Sequence, residues 1–220
     1  MPLKYQKIWS ESQKAGVWKI EECHSYFLDR LVLDDVEREH FDGLSEKRQK
    51  EWLASRLLIC QLLNDYRTSI IYKDSYGKPF IKDSLINISI SHSYDYVAAI
   101  LSPKKVGIDI QKRVDKIRRI AHKYLNMEEL HTIPSELVTD VLLIQWGAKE
   151  SLYKAYGRKS LEYREHIRVM LYNSHLQQLQ DACTYPLSFE GYIKTDSIFE
   201  SYSLKTLRIE DYFLTYCQEF

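Results

Sequence analysis

An aspartate inside an apolar strand pattern is the first residue whose type invites chemistry. In Val106-Gly107-Ile108-Asp109-Ile110-Gln111 the alternation puts Asp109 and Gln111 on one face, although aspartate is depleted in strand interiors. Two readings stand: a solvent-facing residue on the open side of a sheet, or a ligand for a hard cation such as Mg²⁺, which prefers carboxylate oxygen. A second stretch, Trp146 to Gly157 (WGAKESLYKAYG), carries Trp146, Glu150 and Lys154 at four-residue spacing on one helical face. Glu150 and Lys154 alone read as a surface ion pair worth about 0.3 kcal/mol. Trp146 on the same face weakens that reading, because a large aromatic is seldom left in water. The alternative is a carboxylate beside Lys149, one turn before Lys154, holding a metal-bound phosphate from both sides.

His92, in Ser89-Ile90-Ser91-His92-Ser93-Tyr94-Asp95-Tyr96, ends a strand pattern just before a turn. It is either a hydrogen-bonded structural histidine or a phosphate donor at a strand end, where ligand contacts concentrate. Between Lys104 and Lys123 stand eight basic residues opposed only by Asp109 and Asp115. That run is a solvated helix face or a landing surface for an acidic partner. Residues 21–42 are conversely acid-rich, so a formal net charge of zero hides an uneven surface.

These residues must be positioned by elements of two periods. A strand is predicted near 17–20, helices over about 25–41 and 45–66, and two strands at 69–73 and 79–82 joined by the turn 74–78. Strands follow at 87–91, 96–101 and 106–111. Helical spacing returns at about 116–124 and strongly over 136–156, with Gly157 placed for a left-handed C-terminal cap. Strands are predicted at 167–172, 187–193, 198–204 and 212–216. Helices followed by strands, twice over, give an α+β chain of two similar halves, 1–103 and 104–220, with a hinge near Ser102-Pro103-Lys104.

Composition narrows the function classes. The chain has 220 residues, 31 basic and 31 acidic side chains, a balance that gives no support for bulk binding to nucleic acid. Apolar runs stay well short of the roughly 18 residues of a membrane span, and the N-terminus lacks the apolar core of a signal peptide. A soluble cytoplasmic protein is expected. Cys23, Cys60, Cys183 and Cys217 are scattered, and read as small buried hydrophobes in a reducing compartment. The seven glycines spell neither GxGxxG nor GxxxxGK[ST], so any bound phosphate must be held by charged side chains and a metal.

Taken together, Gly77-Lys78-Pro79, the SISHS of 89–93, the VGIDIQ of 106–111 and the WGAKESLYK of 146–154 resemble the 4'-phosphopantetheinyl transferases. The resemblance is to their longer, two-lobed class, typified by the surfactin-synthetase activator. It runs from about residue 45 to 160, and includes the basic segment KRQKEWLASR of 47–56. It implies two pseudo-symmetric α+β lobes with the active site in the cleft between them. The N-terminal lobe would contact the nucleotide of coenzyme A, and the C-terminal lobe would carry the metal and catalytic residues. The implied reaction moves phosphopantetheine from coenzyme A to a serine of an apo acyl or peptidyl carrier protein. It depends on Mg²⁺, with Mn²⁺ as the alternative, and releases adenosine 3',5'-bisphosphate.

By the same resemblance, Asp109, Gln111 and Glu150 correspond to metal ligands, Gln111 standing where many relatives have glutamate. Glu150 corresponds also to the general base, and Lys154 to the lysine near the pyrophosphate, with Lys149 beside it. His92 corresponds to the 3'-phosphate contact, with Ser91 nearby. Lys78, Lys47, Arg48 and Arg56 correspond to basic contacts at the nucleotide end. An acidic carrier is the implied partner, the basic run its docking surface, and a monomer the implied active form. Two other classes fit the same residues: a non-catalytic coenzyme A or carrier-binding module, suggested by the neutral Gln111, and a metal-dependent phosphohydrolase.

Overall fold

The computed structural model describes residues 3–64, 71–158, 160–182 and 185–220, with side chains 181 and 182 excepted. The chain divides into two compact units, Met1–Pro103 and Lys104–Phe220. Each sets one long helix against an antiparallel sheet, so the α+β expectation holds in both. No described helix is long and apolar enough to cross a membrane.

In the first unit the strands β1 (Leu3–Ser10), β2 (Gln13–Lys19), β3 (Ile71–Lys73), β4 (Pro79–Ile81), β5 (Asn87–Ser93) and β6 (Tyr96–Ser102) form one sheet in the order β1-β2-β6-β5-β4-β3. Between β2 and β3 run helices α1 (His24–Leu28), α2 (Asp35–Asp42) and α3 (Glu46–Leu63). The face of α3 bearing Leu53, Leu57 and Leu58 is fully buried with Trp18, Ile88 and Val97 from the sheet. Asn64, in the left-handed conformation, ends α3.

The single helix predicted over 25–41 is two helices. Asp34 is the reason: its carboxylate accepts the backbone N–H of Glu37 at 2.8 Å, and a capping aspartate starts a new helix. The strand β1 escaped sequence analysis because it is a sheet edge with five of its eight residues consecutively exposed or nearly so, leaving little alternation to detect. Residues 65–66 and 69–70, expected in a helix end and a strand start, lie outside the described residues.

In the second unit β7 (Val106–Lys112) leads into a 3₁₀ turn at Asp115–Ile120 and helices α4 (Ala121–Tyr124), α5 (Met127–His131) and α6 (Val138–Tyr156). Then come α7 (Tyr163–His166), β8 (Ile167–Met170), α8 (Asn173–Ala182), β9 (Leu187–Lys194), β10 (Phe199–Ile209) and β11 (Tyr212–Glu219). The sheet order is β7-β11-β10-β9-β8. Ile144, Ala148, Leu152 and Ala155 of α6 are buried with Leu204, Phe213 and Cys217 of the sheet.

Glycine is required where α6 crosses β7. A Cβ on Gly107 would stand 1.8 Å from the carbonyl oxygen of Ser151, so helix and strand meet backbone to backbone. Gly157, with φ 70°, caps α6. The helix predicted over 116–124 is half 3₁₀, and α5 and α8 were not predicted; all three are short stretches whose period is weakly determined. Cys60 and Cys217 are buried as expected, whereas Cys23 is exposed; Cys183 lies outside the described residues.

Candidate active site

The close crossing of α6 over β7 and β11 brings the second unit's ionisable residues together. Asp109 pairs across the sheet with Thr215, and only 2% of it is exposed, which overturns the solvent-facing reading. Its Oδ1 accepts from Lys154 Nζ at 2.7 Å, and Lys154 also donates to the carbonyl of Ile108 at 3.0 Å. Lys154 is therefore pinned to the strand rather than to Glu150. A surface Glu150–Lys154 pair is not what the structure contains.

Glu150, one turn earlier, is held differently. Tyr163 donates its hydroxyl to Glu150 Oε1 at 2.8 Å, and the Tyr163 ring lies stacked on Trp146 (5.9 Å between centroids) and on Tyr153 (5.3 Å). Burial of the carboxyl and the negative charge of Asp109 raise the Glu150 pKa, partly opposed by Lys154 and Tyr163. Burial, reinforced by Glu150, likewise pushes the Tyr163 phenol well above its ordinary range. Two neighbouring carboxylates form a donor set whose repulsion a cation would relieve.

Gln111 lies two residues beyond Asp109 on β7, so its amide belongs to the same strand face. Among the described residues no three His, Cys, Asp or Glu side chains cluster as a metal site. The candidate set is two carboxylates and one neutral amide oxygen, all hard donors suited to Mg²⁺.

Lys149 departs from expectation. It is fully buried, and its Nζ donates to the carbonyls of Tyr124 (2.8 Å) and Tyr163 (3.1 Å) and to the carboxylate of Glu129 (2.9 Å). Burial lowers its pKa to about 8 despite the attraction of Glu129. Adjacent residues on a helix diverge by about 100°, so Lys149 points into the unit while Glu150 meets Tyr163. Its ammonium holds the chain on either side of the site and does not join Lys154.

The first unit contains the second group. Glu51, a buried carboxylate on α3, faces Lys47 (3.8 Å), Arg48 (3.1 Å) and His92 Nδ1 (3.5 Å). Arg48 Nη1 stands 2.7 Å from His92 Nε2. Ser91, one residue earlier on β5, is buried. Lys78 follows a turn fastened by Asp74 Oδ1, which accepts the N–H groups of Tyr76 and Lys78 at 2.9 Å. Arg56 is the remaining residue expected at the nucleotide end. Its guanidinium is buried, paired with Glu37 at 3.0 Å, and lies 3.2 Å from the Trp52 ring centroid. Burial lowers its pKa to about 10 against the pull of Glu37. Arg56 fastens α2 to α3.

Neither Glu51 nor Tyr163 is among the residues expected at a site from the sequence. Glu51 sits among basic residues and reads as a helix-surface charge; Tyr163 lies beyond the last motif, and only the fold returns it to Glu150. The basic run is divided as well. Arg113 pairs with Asp140 at 2.6 Å, Arg118 donates to Thr139 Oγ1 at 2.9 Å, and Lys105 pairs with Glu200. Lys116, Arg119 and Lys123 are exposed.

Comparison with known proteins bears on the same region. Residues 105–217, a little over half of the chain, match the family model of the 4'-phosphopantetheinyl transferase superfamily. The chain is 33% identical over 110 residues to the 4'-phosphopantetheinyl transferase gsp of Aneurinibacillus migulanus, covering 48% of this chain and 46% of that protein. It is 39% identical over 88 residues to the holo-acyl-carrier-protein synthase of Bacillus pumilus, covering 33% of this chain and 73% of that one. With enterobactin synthase component D of Salmonella typhimurium it shares 28% identity over 126 residues, 54% and 53% of the two chains. The matches thus span about half the length of the first and third of these relatives.

Proposed function

We propose a function from one premise: the chain belongs to the 4'-phosphopantetheinyl transferase superfamily. It transfers 4'-phosphopantetheine from coenzyme A to a serine hydroxyl of an apo carrier protein, releasing adenosine 3',5'-bisphosphate. The observation that carries this reading is the constellation of Asp109, Lys154, Glu150 and Tyr163 within the matched region: a buried carboxylate that holds an ammonium, and a half-buried one held by a phenol.

The chemistry asks for those types. Attack on a diphosphate phosphorus gathers negative charge on its oxygens, so cationic groups must be fixed in advance. Asp109, Glu150 and the Gln111 amide would hold Mg²⁺, or Mn²⁺ in its place. The bound cation would supply positive charge to the diphosphate. Lys154, held by Asp109 Oδ1 and the Ile108 carbonyl, presents an ammonium to the leaving phosphate oxygen. Serine is a weak nucleophile until a base takes its proton. Glu150, with its raised pKa, accepts that proton as the serine Oγ–phosphorus bond forms and the diphosphate P–O bond breaks.

Residues 1–103 would serve the nucleotide end through Lys47, Arg48, His92, Ser91 and Lys78, with His92 at the 3'-phosphate. Residues 104–220 would carry the reacting groups. The exposed Lys116, Arg119 and Lys123 suit an acidic carrier. On this reading the protein acts in the cytoplasm as a monomer. Product analysis tests it: adenosine 3',5'-bisphosphate should appear mole for mole with modified carrier and only when carrier is present. Free 4'-phosphopantetheine without carrier would mean a hydrolase, and coenzyme A binding without either product a binding module.

A further inference from the structure

The turn joining β5 to β6 has a residue of unexpected type. Ser93 pairs with Tyr96, so the hairpin loop is Tyr94–Asp95, and of these two only Tyr94 has a positive φ, 53°. A two-residue loop with positive φ at its first position is the arrangement that favours glycine there, and a bulky side chain in the left-handed region is strained. Burial does not compensate, because Tyr94 is 49% exposed.

A lysine lies beside the ring. Lys47 Nζ lies 5.8 Å from its centroid, on the same helix as Arg48, which reaches His92. The buried Glu51 carboxylate faces Lys47, Arg48 and His92, and Lys47 lies beside the strained, exposed aromatic ring. Cations recognise phosphate oxygens, and an aromatic face stacks on a planar base. Both properties together fit a phosphorylated nucleoside better than an isolated anion.

We propose that Tyr94 is a ligand-binding residue, its ring forming with Lys47, Arg48 and His92 a stacking-and-charge site for the nucleotide end of the donor. Glu51 is the positioning residue beneath it. The inference rests on the reading of coenzyme A as donor, and adds a base-stacking residue to it.

Titration calorimetry of the full chain with adenosine 3',5'-bisphosphate tests the assignment. Tyr94→Gly should weaken binding about tenfold, the loss of one aromatic stacking partner, while its Tm equals or exceeds that of the wild type because glycine accepts the left-handed turn. Tyr94→Phe keeps the ring and should bind as the wild type does. Undiminished binding by Tyr94→Gly overturns the proposal, as does a loss in Tyr94→Phe equal to that in Tyr94→Gly. Failure of the wild type to bind the nucleotide overturns the coenzyme A reading itself, and this proposal with it.

Discussion

Replacing Lys149 with methionine separates a structural lysine from a reacting one. Methionine keeps most of the stem and removes the ammonium, which is fully buried among two carbonyls and the Glu129 carboxylate. Glu129 then keeps the Asn126 N–H at 2.9 Å but loses its charge partner. Breaking one side of a buried ion pair costs about 3–5 kcal/mol. For a chain of this length that corresponds to a fall in Tm of roughly 6–20 °C. Urea denaturation with a second variant checks the cause. Glu129→Gln added to Lys149→Met removes the stranded charge while retaining an acceptor for Asn126, and should recover about 2 kcal/mol of the loss. Activity measured well below the melting transition should persist in Lys149→Met, reduced because the Tyr163 carbonyl has lost its anchor. A variant as stable as the wild type yet devoid of activity would refute this reasoning and return Lys149 to the reacting group.

Three other outcomes are expected. Gln111→Glu should retain activity and lower the Mg²⁺ concentration needed for half-maximal rate, since it adds a third carboxylate to the donor set; a loss of activity would show that the neutral amide is required. Lys116→Glu with Arg119→Glu should raise KM for the carrier by about tenfold at low salt and leave KM for coenzyme A unchanged, whereas equal effects on both would remove the docking assignment. Burial alone would raise the Glu200 carboxyl, but hydrogen bonds from Lys105 and Tyr202 outweigh it and hold its pKa below the ordinary range. A lowered pKa means stability present above the unfolded value of about 4.3 and lost as pH falls through the folded one. Glu200→Gln should therefore be less stable than wild type by on the order of 1 kcal/mol at pH 7, discounted for the exposure of Lys105, with the two melting curves converging in acid.

What could be read from the sequence follows from how local each signal was. Alternation through Val106–Gln111 and the three- and four-residue spacing of α6 made both elements that hold the site legible, because each period is a local property of its own segment. Gly157 was legible as a cap for a similar reason: it depends on its own φ alone. What the sequence leaves open is tertiary. Periodicity placed Glu150 and Lys154 on one helical face, but could not show that Lys154 reaches β7 and Glu150 reaches Tyr163. Arg56 resembled a phosphate contact in a basic segment, and only the packing of α2 revealed Glu37 as its partner. Lys149 lay in the strongest motif, yet adjacency in sequence along a helix means divergence in space.

The central claim is tested most directly by the intact mass of an apo carrier protein after incubation with this chain, coenzyme A and Mg²⁺, with and without EDTA. The account requires a gain of one phosphopantetheine arm that EDTA abolishes and that Glu150→Ala fails to produce. No gain across acyl and peptidyl carriers, from a protein that still binds coenzyme A, would contradict it.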